Sequence, residues 1–250
     1  MKRLMLGSVG LLALGLSSAF AADLAVKAPP AYVPAPVWSW TGFYIGGNVG
    51  AGWGTTEANL NSISIGGLGS FADNLPIDQN SRSGFLGGGQ IGYNYQFGWA
   101  VIGVEGDFSG LGVQGTTPCI GGEFSCTGNS HWLGTVSGRI GGVVGDRTLI
   151  YVKGGAAWMN TTHSLNPSSE ESFLGGTSAN ATPVGGLLGL GVEYAFSPNW
   201  SAFVEYDYIQ FQNQNIGFAS REFFGPGAVA NVNIQDKLSI AKIGVNYKFW

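Results

Sequence analysis

Residues 239–250 read Ser-Ile-Ala-Lys-Ile-Gly-Val-Asn-Tyr-Lys-Phe-Trp. Ala241, Ile243, Val245, Tyr247 and Phe249 fall on one face of an extended chain. Lys242, Gly244, Asn246 and Lys248 fall on the other. Such a period of two is a strand, apolar on one side and polar on the other. A bare aromatic edge invites aggregation in a soluble domain. In a closed membrane barrel it is required, because the last strand pairs with the first.

Seven more segments upstream carry the same alternation. In Phe43–Trp53, the residues Phe43, Ile45, Val49, Ala51 and Trp53 share a face. In Gly84–Gln96, Ile91, Tyr93 and Tyr95 point out and Gln90, Asn94 and Gln96 in. Trp99–Gly110 places Ala100, Ile102, Val104 and Phe108 outward, Glu105 and Asp107 inward. Trp132–Val144 places Val136 and Ile140 outward and Arg139 inward. Leu149–Asn160 opposes Ile150 and Val152 to Tyr151 and Lys153. Val184–Phe196 opposes Leu190 and Val192 to Glu193. Trp200–Gln212 opposes Val204 and Tyr206 to Glu205 and Asp207. Segments of about ten residues suffice to cross a bilayer at a tilt. The pattern predicts an all-β protein: an eight-stranded antiparallel transmembrane up-and-down β-barrel. Residues 96–99, 145–148 and 196–199 are short periplasmic turns. Residues 54–83, 111–131, 161–183 and 213–237 are four long extracellular loops, the asymmetry expected of an outer-membrane barrel.

Composition agrees. Charged residues are 10% of the chain, against about 25% in ordinary soluble domains. Glycine is 43 of 250 residues, and aromatics are 13%. Aromatics in ordered alternation oppose a disordered reading of the glycine content. A soluble sandwich or lipocalin-type barrel would turn its large aromatics inward. Trp53, Trp132 and Trp158 instead fall at the strand ends that meet long loops. Trp99, Trp200, Phe249 and Trp250 fall at the opposite ends. Two such rings are interfacial girdles.

The chain opens with Lys2 and Arg3, an apolar run from Leu4 to Leu16, and Ala19-Phe20-Ala21. This is a secretory signal peptide over 1–21, too short and wrongly flanked for a membrane anchor. Residues 22–40, with Pro29, Pro30, Pro34 and Pro36, read as a Pro-rich periplasmic leader before a barrel over 41–250. Losing Lys2 and Arg3 from 11 basic residues leaves 9 against 15 acidic, which disfavours nucleic acid as a partner. Cys119 and Cys126 lie in an oxidising compartment, so a local disulfide is expected.

The inward set holds Glu105, Asp107, Glu193, Glu205 and Asp207 opposite Arg139, Lys153, Lys242 and Lys248. This predicts a lumen charge network of ion pairs rather than an ion path, since eight strands leave an interior that side chains fill. A small-solute channel is the alternative. No catalytic motif stands out. His131 and His163 are the chain's two histidines and fall in the long connections. They and the loop phenylalanines leave a haem or surface-binding role open through 111–131 and 161–183, although no cofactor is required. Gly87-Gly88-Gly89-Gln90-Ile91-Gly92 matches a dinucleotide motif by letter, but it lies in a strand with no helix after it.

Several stretches carry a family resemblance. They are Asp23-Leu24-Ala25-Val26-Lys27-Ala28-Pro29-Pro30, Trp40-Thr41-Gly42-Phe43-Tyr44-Ile45-Gly46-Gly47-Asn48-Val49-Gly50, and Asp146-Arg147-Thr148-Leu149-Ile150-Tyr151-Val152-Lys153-Gly154-Gly155. Val204-Glu205-Tyr206 and Gly244-Val245-Asn246-Tyr247-Lys248-Phe249 complete the set. Together they resemble the small alphaproteobacterial outer-membrane barrels of the RopB type, the porin-family or surface-antigen proteins. The resemblance implies integral outer-membrane location and roles in envelope integrity and surface interaction. It also implies outer-membrane lipid, lipopolysaccharide and the assembly machinery as partners.

Overall fold

The computed structural model describes residues 38–65, 69–71, 75–119, 124–167, 177–219 and 229–249. The expected signal peptide, most of the expected leader and Trp250 lie outside the described residues. Among the described residues there are eleven strands: β1 (Gly42–Ile65), β2 (Gly69–Phe71), β3 (Leu75–Phe97), β4 (Ala100–Cys119), β5 (Phe124–Val144), β6 (Thr148–Pro167), β7 (Thr177–Ala181), β8 (Val184–Ala195), β9 (Trp200–Phe211), β10 (Gln214–Ala219) and β11 (Val229–Lys248). Eight of them close a ring in the order β1-β3-β4-β5-β6-β8-β9-β11, all antiparallel, with β11 returning to β1. The closing ladder runs from Tyr44 opposite Lys248 to Ser64 opposite Val229. Closure leaves no edge in the ring, so every backbone group within the bilayer finds a partner.

The side-chain alternation places charge inside. Val104 is 62% exposed on the outer wall, while Glu105 beside it is 7% exposed and faces the interior. Val152 and Lys153 divide the same way, at 53% and 2%. Two of the tight turns use glycine in the left-handed region, Gly98 at φ 61° and Gly145 at φ 64°. Other residues adopt that conformation only with strain.

Three features depart from the sequence reading. The long connections are mostly strand. β1 continues twelve residues beyond Trp53 to Ile65, and β3, β4, β5, β6 and β11 likewise extend past the membrane band. Their alternation is polar, so hydrophobic patterning alone does not reveal it, but ladder hydrogen bonds satisfy the backbone all the same. Lys248 is not part of the lumen network: its Nζ donates to the Ser39 carbonyl and lies 4.3 Å from the Trp38 ring centroid, at the end where β1 begins. The end of the expected leader is not a plain linker either, since Trp40 is 2% exposed among barrel residues.

Among the described residues, the extension above the membrane is not one continuous ring. The β3–β4 ladder ends at Ser83 opposite Gln114, beside a register shift in β4 between Gly110 and Val113. The β8–β9 ladder ends at Gly185 opposite Phe211. Beyond it, β7 pairs with β6 and β10 pairs with β11, and among the described residues no ladder joins β7 to β10. The outer section therefore consists of two leaves, β4-β5-β6-β7 and β3-β1-β11-β10.

Candidate functional site

The barrel interior is layered. At the N-terminal end Trp40 packs with Val101, Leu149, Tyr151 and Ala195, and Trp38 lies against them. The Trp40 backbone N–H donates to Gln96 Oε1 at 2.8 Å, which ties this plug to β3.

Above it lies a charged belt. Lys153 Nζ reaches Glu205 at 2.6 Å, Glu105 at 3.3 Å and Asp207 at 3.4 Å. Lys242 Nζ reaches Glu205 at 3.0 Å, Asp207 at 3.3 Å and Asp107 at 3.5 Å. Arg139 pairs with Glu193 at 3.3 Å and Glu105 at 3.5 Å, and its guanidinium lies over the Tyr44 and Tyr151 rings. Three cations thus meet five carboxylates. Neutral donors serve further carboxylate oxygens, although Asp207 Oδ1 is buried without a hydrogen-bond partner: Tyr44 donates to Glu105 and Tyr151 to Glu205, each at 2.7 Å. Asn48 donates to Asp107 at 2.7 Å, and Ser201 and Asn246 donate to Glu193. A buried charge is tolerated only with such partners.

Glycine makes room for the belt. A Cβ on Gly189 would lie 2.1 Å from Asp207 Oδ1, and one on Gly191 would lie 2.5 Å from Tyr151 Cζ. Any side chain at these positions displaces the network, which accounts for glycines in the middle of β8.

A second apolar layer closes the belt on the outer side. It includes Leu86, Leu133, Met159, Leu187, Phe211 and Ile240, drawn from six strands of the ring. Beyond it, outside the membrane band, is a smaller polar cluster. Arg82 Nη2 donates to Asp236 Oδ1 at 2.8 Å, and Thr56 Oγ1 donates to the same oxygen at 2.6 Å. Arg82 Nη1 donates to Ser130 Oγ at 3.3 Å, and Ser130 meets Thr161 at 3.3 Å. His163 joins this cluster from β6. Burial pushes its ring below the usual imidazole value, Asp236 pulls it back up and Arg82 pushes it down further.

The chain matches the outer membrane protein beta-barrel domain family over residues 9–249. The chain belongs to that family. It is 33% identical to the 31 kDa outer-membrane immunogenic protein of Brucella melitensis over 254 residues, the full length of both. It is 31% identical to the 22 kDa outer membrane protein of Rhizobium leguminosarum, over 75% of this chain and 72% of that one. Among solved structures, the outer membrane protein OprG of Pseudomonas aeruginosa aligns with TM-score 0.47 and 13% identity, covering 86% of this chain and 100% of that one.

In this outer-membrane β-barrel protein, all eight residues expected in the lumen network face one another inside: Glu105, Asp107, Arg139, Lys153, Glu193, Glu205, Asp207 and Lys242. Trp53, Trp99, Trp158, Trp200 and Phe249 lie on the outer wall, and Trp132 stacks on outward Phe108. His131 and His163 do not converge. His131 sits in a register shift of β5, is exposed, and contacts Thr162, whereas His163 turns to the inside beside Arg82 and Asp236. Cys119 ends β4 opposite Phe124, and Cys126 lies opposite Thr117. The Cys119 side chain lies outside the described residues.

The sequence reading missed Thr56, Arg82, Ser130, Thr161 and Asp236, having placed all five in loops. One signal was present. Val232, Ile234, Asp236, Leu238 and Ile240 alternate without a break into the C-terminal strand, and all are buried.

Proposed function

We propose that this protein is a non-catalytic structural barrel of the outer membrane, closed to solutes, that carries a strand-built extension to the cell surface. The observation behind this reading is the charged belt held between two apolar layers. An ion entering from either end must cross packed Trp40 and Leu149, or packed Leu133 and Phe211, before it reaches the charged belt. Its partners in this reading are outer-membrane lipid and lipopolysaccharide around the girdles and the assembly machinery that inserts the last strand. It works without a cofactor. Export by a cleaved signal peptide and a Cys119–Cys126 disulfide belong to the same proposal.

Planar-bilayer recording of the purified, refolded protein tests it. A silent membrane is the expected result. Reproducible conductance steps would replace the structural role with that of a small-solute channel.

The extension favours a second, compatible role in surface recognition. Six strands continue past the outer tryptophan ring, so paired strands carry the chain outward beyond the membrane band. The Brucella relatives are named immunogenic proteins. Antibody labelling of intact cells, lost when residues 168–176 and 220–228 are replaced by short turns, is the outcome this role predicts.

A further inference from the structure

We infer that the extension is an acid-released clasp, in which two leaves are held shut by Arg82 and driven apart when His163 takes up a proton.

Two ladder breaks carry the inference. Above Ser83/Gln114 and above Gly185/Phe211, no described rung joins β4-β5-β6-β7 to β3-β1-β11-β10. The leaves are continuous with the barrel below, so they can separate only at the outer end. Within one leaf, Thr56 and Arg82 both bond Asp236 and tie β1, β3 and β11 together. Within the other, Ser130 meets Thr161 between β5 and β6. The Arg82 to Ser130 hydrogen bond crosses from leaf to leaf. It is a single bond at 3.3 Å, and Arg82 Nε is buried without a partner. The clasp is therefore held less firmly than a ladder would hold it.

His163 is on the leaf opposite Arg82. Its backbone neighbours are Gly128 on β5 and Ala179 on β7. A Cβ on Gly128 would lie 3.7 Å from Arg82 Nη1 and 4.0 Å from His163 Nδ1, so guanidinium and imidazole both lie beside the same glycine. The charged groups that act on His163 are Asp236 from β11 and Arg82 from β3. From β5 and β7 the facing positions are Gly128 and Ala179, which do not titrate, and Thr56 on β1 does not either. Glu57 on β1 is engaged with Lys237 at 2.9 Å.

The sign follows from these groups. In the closed state the imidazole is held below its ordinary value, so closure favours the neutral ring. That contribution is complete above the unperturbed value of about 6.5 and is lost as the pH falls through the lowered one. Below it, two cations on opposite leaves share one carboxylate, and repulsion acts across the boundary that lacks a ladder.

Asn180 on β7 and Asn215 on β10 are exposed and border one break. Spin labels at Asn180→Cys and Asn215→Cys, with Cys119→Ser and Cys126→Ser, report the opening in the refolded full chain. The expected result is a short distance at about pH 7.5 and a longer one at about pH 5. His163→Gln should stay short at both values, and Arg82→Met should be long at both. In the unaltered chain, amide exchange in 75–83 and 214–219, corrected for intrinsic chemistry, should rise roughly tenfold over the same range. Exchange in the membrane band should stay constant. An acid response that survives in His163→Gln, or none in the parent by either measurement, overturns the inference.

Discussion

The belt and the outer cluster are both buried ion-pair sites inside one barrel, yet they are built to different tolerances. In the belt each lysine meets three carboxylates, and each carboxylate has a second donor from an amide, a hydroxyl or another cation. The ring around it is laddered on every side. In the outer cluster one arginine meets one aspartate, and the ladders on two sides have ended. The same chemistry thus makes a permanent seal where the backbone is closed, and a releasable contact where it is not. Redundancy in the partners and continuity of the ladder decide between them.

The largest test of this contrast is Lys153→Met. It strips Glu105, Glu205 and Asp207 of a shared cation in a dry interior, and should cost about 3–5 kcal/mol. Urea unfolding in lipid vesicles, followed by the heat-dependent gel shift, measures it. A smaller loss would mean that water enters the belt.

Val152→Arg is the companion change, one residue away on the opposite wall. It sets a charge against lipid and should cost about 2–4 kcal/mol in the same assay. Insensitivity here would place Val152 outside the bilayer and break the assignment of the two faces.

Arg82→Met should cost about 1–3 kcal/mol, by leaving Asp236 with the Thr56 hydroxyl. Its effect should be confined to amide exchange in the extension, with the membrane band unchanged. A global loss equal to that of Lys153→Met would erase the distinction between the two sites.

Lys237→Ala, which removes a half-exposed pair with Glu57 on the outer wall, should leave both assays unchanged.

Much of this was legible in the chain before folding. The period of two in Trp99–Gly110 and Leu149–Asn160 already put Glu105 and Lys153 on the inner wall, because neighbouring residues of a strand must face opposite ways. The same rule failed for Lys248, which has the right parity but lies at the barrel end, where the chain's own Ser39 and Trp38 capture it. It was not applied to Thr56, Arg82 and Asp236, because their segments lack the apolar outer face that marks a membrane strand. Above the bilayer the outer wall meets water, and no greasy alternation is needed there.

By itself the sequence determined the closed ring, its antiparallel order, and which side of each strand meets lipid. These depend on residue spacing within ten or so positions, and backbone geometry converts that spacing directly into faces. Only the tertiary structure decided which inward groups meet and where the ladders stop. Thr56 and Asp236 stand 180 positions apart, Arg82 and Asp236 154, and Tyr44 and Glu105 61. Such contacts are set by the register of distant strands and by the curvature that brings their inner faces together, neither of which any local stretch encodes.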